Sequence, residues 1–161
     1  MKEMSSLDIY RLFVRSVIRT NGIQRISNDS PAHAIVLLGE LIRSATSSVD
    51  VYCHRLASDV WGAAEIREAV LSAREKKTVR FRVVVQEKSD DEIDASAFSF
   101  MKDSIRSFQS ENMMANFLVV DDKAFRFEPD YRTRTGFAYV NNLDMSGALV
   151  NAFESIYQRA I

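Results

Sequence analysis

Asn116-Phe-Leu-Val-Val-Asp-Asp-Lys-Ala-Phe-Arg-Phe127 reads as two short strands joined by a turn. Phe117-Leu-Val-Val120 is an unbroken apolar run that reads as a strand. Ala124-Phe-Arg-Phe127 has the alternation of a second strand. Between them Asp121-Asp122-Lys123 is ordinary hairpin chemistry, because Asp tolerates left-handed backbone and bonds its own main chain. Two carboxylates at a strand end could also hold a divalent cation or work as acid and base. The residue types favour the turn.

Working outward, the same alternation of periods extends in both directions. Helical spacing marks 6–20, with Ser5 and Asp8 in a capping pattern, and 31–45, where Ser30 precedes Pro31. Further helices are expected over 60–76, over 89–110 after Ser89 and Glu92, and over 145–159. Ser48-Val-Asp-Val-Tyr-Cys53, Arg80-Phe-Arg-Val-Val-Val85 and Gly136-Phe-Ala-Tyr-Val140 read as strands, and 27–30 as a loop. Strands alternating with helices predict an α/β sandwich whose mixed sheet is mostly parallel and ends in an antiparallel segment. Residues 1–30 are expected to be an N-terminal helical extension and 31–161 the domain proper.

Length and composition bound the function. The chain has 161 residues, 47% hydrophobic and 27% charged, which fits one globular domain. Its 21 basic and 22 acidic side chains leave a net charge of −1, which argues against a generic polyanion binder. The lone Cys53 permits no intrachain disulfide and no cysteine-rich zinc site. The absence of a signal-like start or a long apolar run predicts a cytoplasmic protein without a transmembrane segment.

Few motifs survive inspection. No glycine stands at a strand–helix junction, so a phosphate-cradling loop is not expected. Cys53 and His54 end the first strand of the domain, the edge where α/β sheets place ligands, but adjacent strand residues point to opposite faces. Thus His54 is a candidate for lining a cleft, while Cys53 reads as core and His33 as an early helix residue. Arg11, Arg15 and Arg19 recur every four residues and predict a solvated ridge or a docking ridge along the first helix. The run Arg74 to Arg82 and the acidic run Glu87 to Asp94 partly complement helix dipoles. Arg126, Arg132 and Arg134 lack that explanation and could join the Arg80 region in a face for phosphates.

"SSVDVYCHRL", "VRFRVVVQE", "NFLVVDDKAFRF" and "NAFESIYQRA", separated by helices, resemble in their order the phospholipase D-like fold over residues 32–161. The family's signature is H-x-K-x4-D, and Met114-x-Asn116-x4-Asp121 fits its spacing. The resemblance implies that the motif histidine forms a phosphohistidine or protonates the leaving group. The motif lysine grips the phosphate, and two motifs, from repeats or a dimer, complete one site. Here Met114 can neither take nor give a proton, and Asn116 supplies no cationic clamp. The family's downstream G-S-x-N phrase falls on Glu128-Pro129-Asp130-Tyr131, and Glu128 would repel phosphate. No histidine follows His54 to rescue the motif. Only Asp121 is kept.

Three functions follow as expectations, none requiring a metal or cofactor. One is a catalytically silent phospholipase D-like domain that dimerises or assembles with a protein partner, with Met113-Met114 suited to a packed surface. Small degenerate modules of this kind resemble accessory subunits of bacterial multicomponent systems, antiviral defence included. Another is a nucleic-acid-binding module using Arg80, Arg82, Arg126, Arg132 and Arg134. The last is an enzyme with a rebuilt site around His54, Asp121 and Glu128. A membrane-surface role would need a stronger basic face.

Overall fold

The structure, a computed structural model, describes residues 3–161. Helix α1, Ser6–Thr20, begins at a complete capping box: the Asp8 N–H donates to Ser5 Oγ, and the Ser5 N–H donates to the Asp8 carboxylate. It ends at Asn21, which takes the left-handed backbone that Asn tolerates. Helix α2, Pro31–Ser44, starts from the Ser30 cap and is buried along most of its length. Strand β2, Ser48–Cys53, follows, then the short α3, Ser58–Trp61, and α4, Ala64–Glu75. The break at Gly62-Ala63 divides the single helix expected over 60–76.

Strand β3, Arg80–Val85, leads to a larger departure. The helix expected over 89–110 is only α5, Asp90–Ala95, followed by a 3-10 turn over Ser99–Ser104 and the two-residue β4, Arg106–Ser107. Ser96 explains the stop: its hydroxyl donates to the Ile93 carbonyl and accepts the Phe98 N–H, in place of helical bonds. The remainder of the sheet is β5, Asn116–Val120, β6, Ala124–Glu128, and β7, Gly136–Tyr139, before α6, Leu143–Arg159. A Cβ on Gly136 would lie 2.6 Å from the Phe127 carbonyl oxygen, so the β6–β7 pairing admits only glycine there.

A further strand, β1 over Ile26–Asn28, occupies what reads as loop. The seven strands run β1-β7-β6-β5-β2-β3-β4. The sheet is mixed, but β2–β3 and β3–β4 are the parallel pairs, and the other four pairings are antiparallel. The expectation of a mostly parallel sheet is therefore corrected. A three-residue turn cannot carry a parallel crossover, which needs a dozen residues or more, and β5 itself runs against β2.

Helices α1, α2 and α4 cover one face of the sheet, and α6 covers the other. Val14, Val17 and Ile26 lie in the same buried cluster as Leu38, Val51 and Leu118. The expected extension over 1–30 is thus, in its described residues, part of the core and of the sheet. The arginine ridge is also partly spent: Arg11 pairs with Glu65, and Arg15 Nε donates to Glu40 at 3.0 Å.

Candidate functional site

The cleft lies where β2 ends, β5 begins and β6 ends. Since β5 runs against β2 with Tyr52 opposite Phe117, the next step of the register brings Asn116 level with Cys53, next to His54. The His54 backbone N–H donates to Asn116 Oδ1 at 2.8 Å, and Asn116 Nδ2 donates to Glu128 Oε2 at 2.6 Å. Glu128 Oε1 lies 3.4 Å from Arg126 Nη2, and both side chains are buried. Arg126 Nε donates to Asn28 Oδ1 at 2.9 Å, and Asn28 Nδ2 donates to the Arg134 carbonyl at 2.8 Å. A continuous relay therefore runs from β2 through β5 and β6 to β1 and the loop before β7. Burial pushes the Arg126 pKa down, against the opposing pull of Glu128. Neither charge could be buried at modest cost without the other.

The His54 ring stacks on Tyr131 at 3.8 Å, with the planes 6° apart. Its Nδ1 is 3.3 Å from Gln86 Oε1, and Nε2 is 3.5 Å from a Glu87 carboxylate oxygen. Gln86 Nε2 donates to the Tyr52 hydroxyl and to the Met113 carbonyl, each at 2.7 Å. On the Tyr131 side is a solvent-open cleft of about 330 Å³, lined by His54, Arg55, Asn116, Tyr131, Arg132 and Arg134. Each arginine faces a carboxylate: Arg132 meets Asp130 at 2.7 Å, Arg134 meets Asp59 at 3.1 Å, and Arg55 meets Glu92 at 3.5 Å. Hydrogen bonds from Arg132 pull the Asp130 pKa down to about 2.

His54 and Glu128 come together as neighbours of Asn116, whereas Asp121 does not join them. It lies at the far end of β5, roughly 17 Å from Asn116 at strand rise. There its carboxylate accepts from the backbone N–H groups of Thr46, Ser47 and Ser48 at 2.7–3.1 Å. The grouping of His54, Asp121 and Glu128 is therefore corrected: a strand's length separates its members. The five-arginine face is corrected as well. Arg82 is buried, bonded to Asp50 at 2.8 Å and paired with Glu154; Arg126 is in the relay; and Arg80 opens β3 at the Ser48 end. Only Arg132 and Arg134 share the cleft, joined by Arg55.

Met114 contributes its backbone carbonyl, which accepts the Tyr131 N–H at 2.9 Å. Tyr131, Gln86, Arg55 and Asn28 were not singled out from sequence. Arg55 follows His54 directly, but nothing local marks the others, whose partners lie across the sheet. Among the described residues no three His, Cys, Asp or Glu side chains gather as metal ligands would. No helix there is long and apolar enough to cross a membrane.

No protein-family model and no curated relative match this sequence. Solved structures do match. A phospholipase D family member, Nuc from Salmonella typhimurium, superposes with a TM-score of 0.60 at 14% identity, over 87% of this chain and 96% of that one. This chain has the phospholipase D-like fold. NucT from Helicobacter pylori shares it at a TM-score of 0.64 and 10% identity, over 86% and 98% of the two chains. TrmBL2, described as an archaeal chromatin protein with a novel mode of DNA binding, matches at 0.66 and 10% identity. That match covers 88% of this chain but 54% of TrmBL2, so the chain spans about half of that protein. In this fold Asn116 opens β5, Met114 lies two residues before it, and Asp121 follows its last residue.

Proposed function

We propose that this chain is a catalytically silent phospholipase D-like domain that works as an assembly subunit. The observation that carries the reading is the relay from His54 through Asn116 and Glu128 to Arg126. The Asn116 amide spends its oxygen on the His54 N–H and its nitrogen on Glu128. A buried carboxylate stands where phosphoryl transfer would require positive charge. With that chemistry replaced by structure, the fold still offers its surfaces, and α1 exposes Ile9, Leu12 and Phe13.

The test pairs turnover with mass. Purified chain is incubated with bis(4-nitrophenyl) phosphate and with single- and double-stranded DNA, with and without divalent cations. No turnover above the blank is expected. Hydrolysis that disappears in Asn116→Ala and Glu128→Gln would overturn the silent reading. Sedimentation across a wide concentration range should show a species heavier than the monomer, and a monomer throughout counts against assembly.

A second reading rests on the cleft. The Tyr131–His54 stack beside Arg55, Arg132 and Arg134 combines an aromatic face with cations, as single-strand binders do. It ranks second because each arginine already faces a carboxylate. It expects salt-sensitive binding of single-stranded DNA, with Arg132→Ala and Arg134→Ala each lowering the salt slope by about 0.7. Unchanged binding in both variants would remove it.

A further inference from the structure

We infer that the outer face of α1 pairs antiparallel with the same face of a second copy of this chain; this rests on the assembly reading and names its surface. Val14 and Val17 turn one side of α1 into the core. On the opposite side, at helical spacing, Ile9, Leu12 and Phe13 are 57%, 51% and 43% exposed. Single exposed apolar side chains are common on any surface. Three on one face of a helix that is already packed on its other side form a second apolar stripe.

The stripe is matched to its own reverse. When a reversed copy is centred between Leu12 and Phe13, Leu12 meets Phe13 of the second copy, and Ile9 meets its Ser16. Ser16 is small and exposed, so the helices can approach closely there. The charged edge has the same symmetry. Asp8, Arg15 and Arg19 lie along one side of the stripe. Reversal places Asp8 between Arg15 and Arg19 of the second copy, about 3 Å along the axis from each level. In a parallel pair the two charged edges would lie on opposite sides of the seam and could not meet. Arg19 makes no ion pair among the described residues, so its charge is free for this contact. The edge carries both signs, which suits a protein helix better than an anionic lipid surface.

A pair of 15-residue helices buries less than the roughly 1,200 Å² of a standard interface, so the dimer should exchange at roughly micromolar concentration. Sedimentation equilibrium of the full chain tests this. Ile9→Glu and Leu12→Glu should each weaken self-association about tenfold or more, with circular dichroism unchanged. Asp8→Lys and Arg19→Glu should each weaken it alone. An equimolar mixture of those two should restore it, because of the dimers these variants can form only the mixed one sets opposite charges at both contacts between positions 8 and 19. Asp8 also caps α1, so helix content is compared for that variant, and Ile9→Glu and Leu12→Glu stand without it. A dimer that persists in Ile9→Glu and Leu12→Glu overturns this surface while leaving assembly through another face. A mixture that fails to restore association overturns the antiparallel pairing. A monomer at every concentration, or a chain that floats with anionic vesicles without self-associating, overturns the inference outright.

Discussion

Asp121 and Asp122 both take left-handed backbone, with φ of 55° and 56°, which Asp accepts more readily than most residues. Partial burial pushes the Asp121 pKa up, but donors from Ser48, Ser47 and Thr46 outweigh it and hold the carboxyl below the usual range. The folded value is depressed, so this stabilisation is present above the ordinary Asp value near ~3.9 and fades as pH falls through the folded value. Asp121→Ala should cost about 2 kcal/mol at neutral pH. In acid the gap between variant and parent should narrow, as followed by urea melts at several pH values. At this scale the sequence was partly legible. The turn reading of Asp121-Asp122 needs only local residue types, and both residues sit in that turn. The partners of Asn116, by contrast, come from β2 and β6. His54 and Glu128 could be picked out as polar residues near strand ends, but the amide joining them and the Tyr131 stack depend on strand order.

Arg82 shows how one side chain joins three elements. From β3 it bonds Asp50 on β2 at 2.8 and 3.1 Å and Glu154 on α6, and it lies over the Phe153 and Tyr157 rings. Hydrogen bonding to Asp50 leads the causes that raise its pKa, so it stays charged. Asp50 is wholly buried, so Asp50→Ala strips a buried cation of its principal partner. A loss of about 3 kcal/mol is expected, seen as a melting point lower by roughly 6–12 °C. Replacing both, with Asp50→Leu and Arg82→Met, should cost less than Asp50→Ala alone; a larger loss in the double variant would count against this account. Element boundaries were legible where the period was long and the caps local, as in α1. They failed where a hydroxyl competed with the helix at Ser96. They failed again at β1, whose three residues are too few to show alternation and owe their strand form to β7.

At the scale of the molecule, α1 and β1 change what counts as the domain. The core contributions of Val14, Val17 and Ile26 together amount to roughly 5–9 kcal/mol. A whole domain is typically stable by only about 5–15 kcal/mol. A chain cut to 31–161 should therefore lose most of its cooperative melting transition. A sharp, parent-like melt would show that the first 30 residues are an appendage after all. The sandwich class was readable because strands and helices alternate along the chain. The sheet's direction was not, because β5 reverses against β2 after a segment whose path follows no repeating pattern.

Cys53 gives this molecule a built-in clock. It is the one thiol in the chain, it is buried against the helices that cover the sheet, and burial pushes its pKa up, so in the native state it is shielded and protonated. A thiol reagent in solution can therefore label it only during moments when the sheet parts from α2. The slow colour change of an ordinary disulfide dye, timed in native buffer, would follow those openings across the population, without denaturant and without any engineered probe.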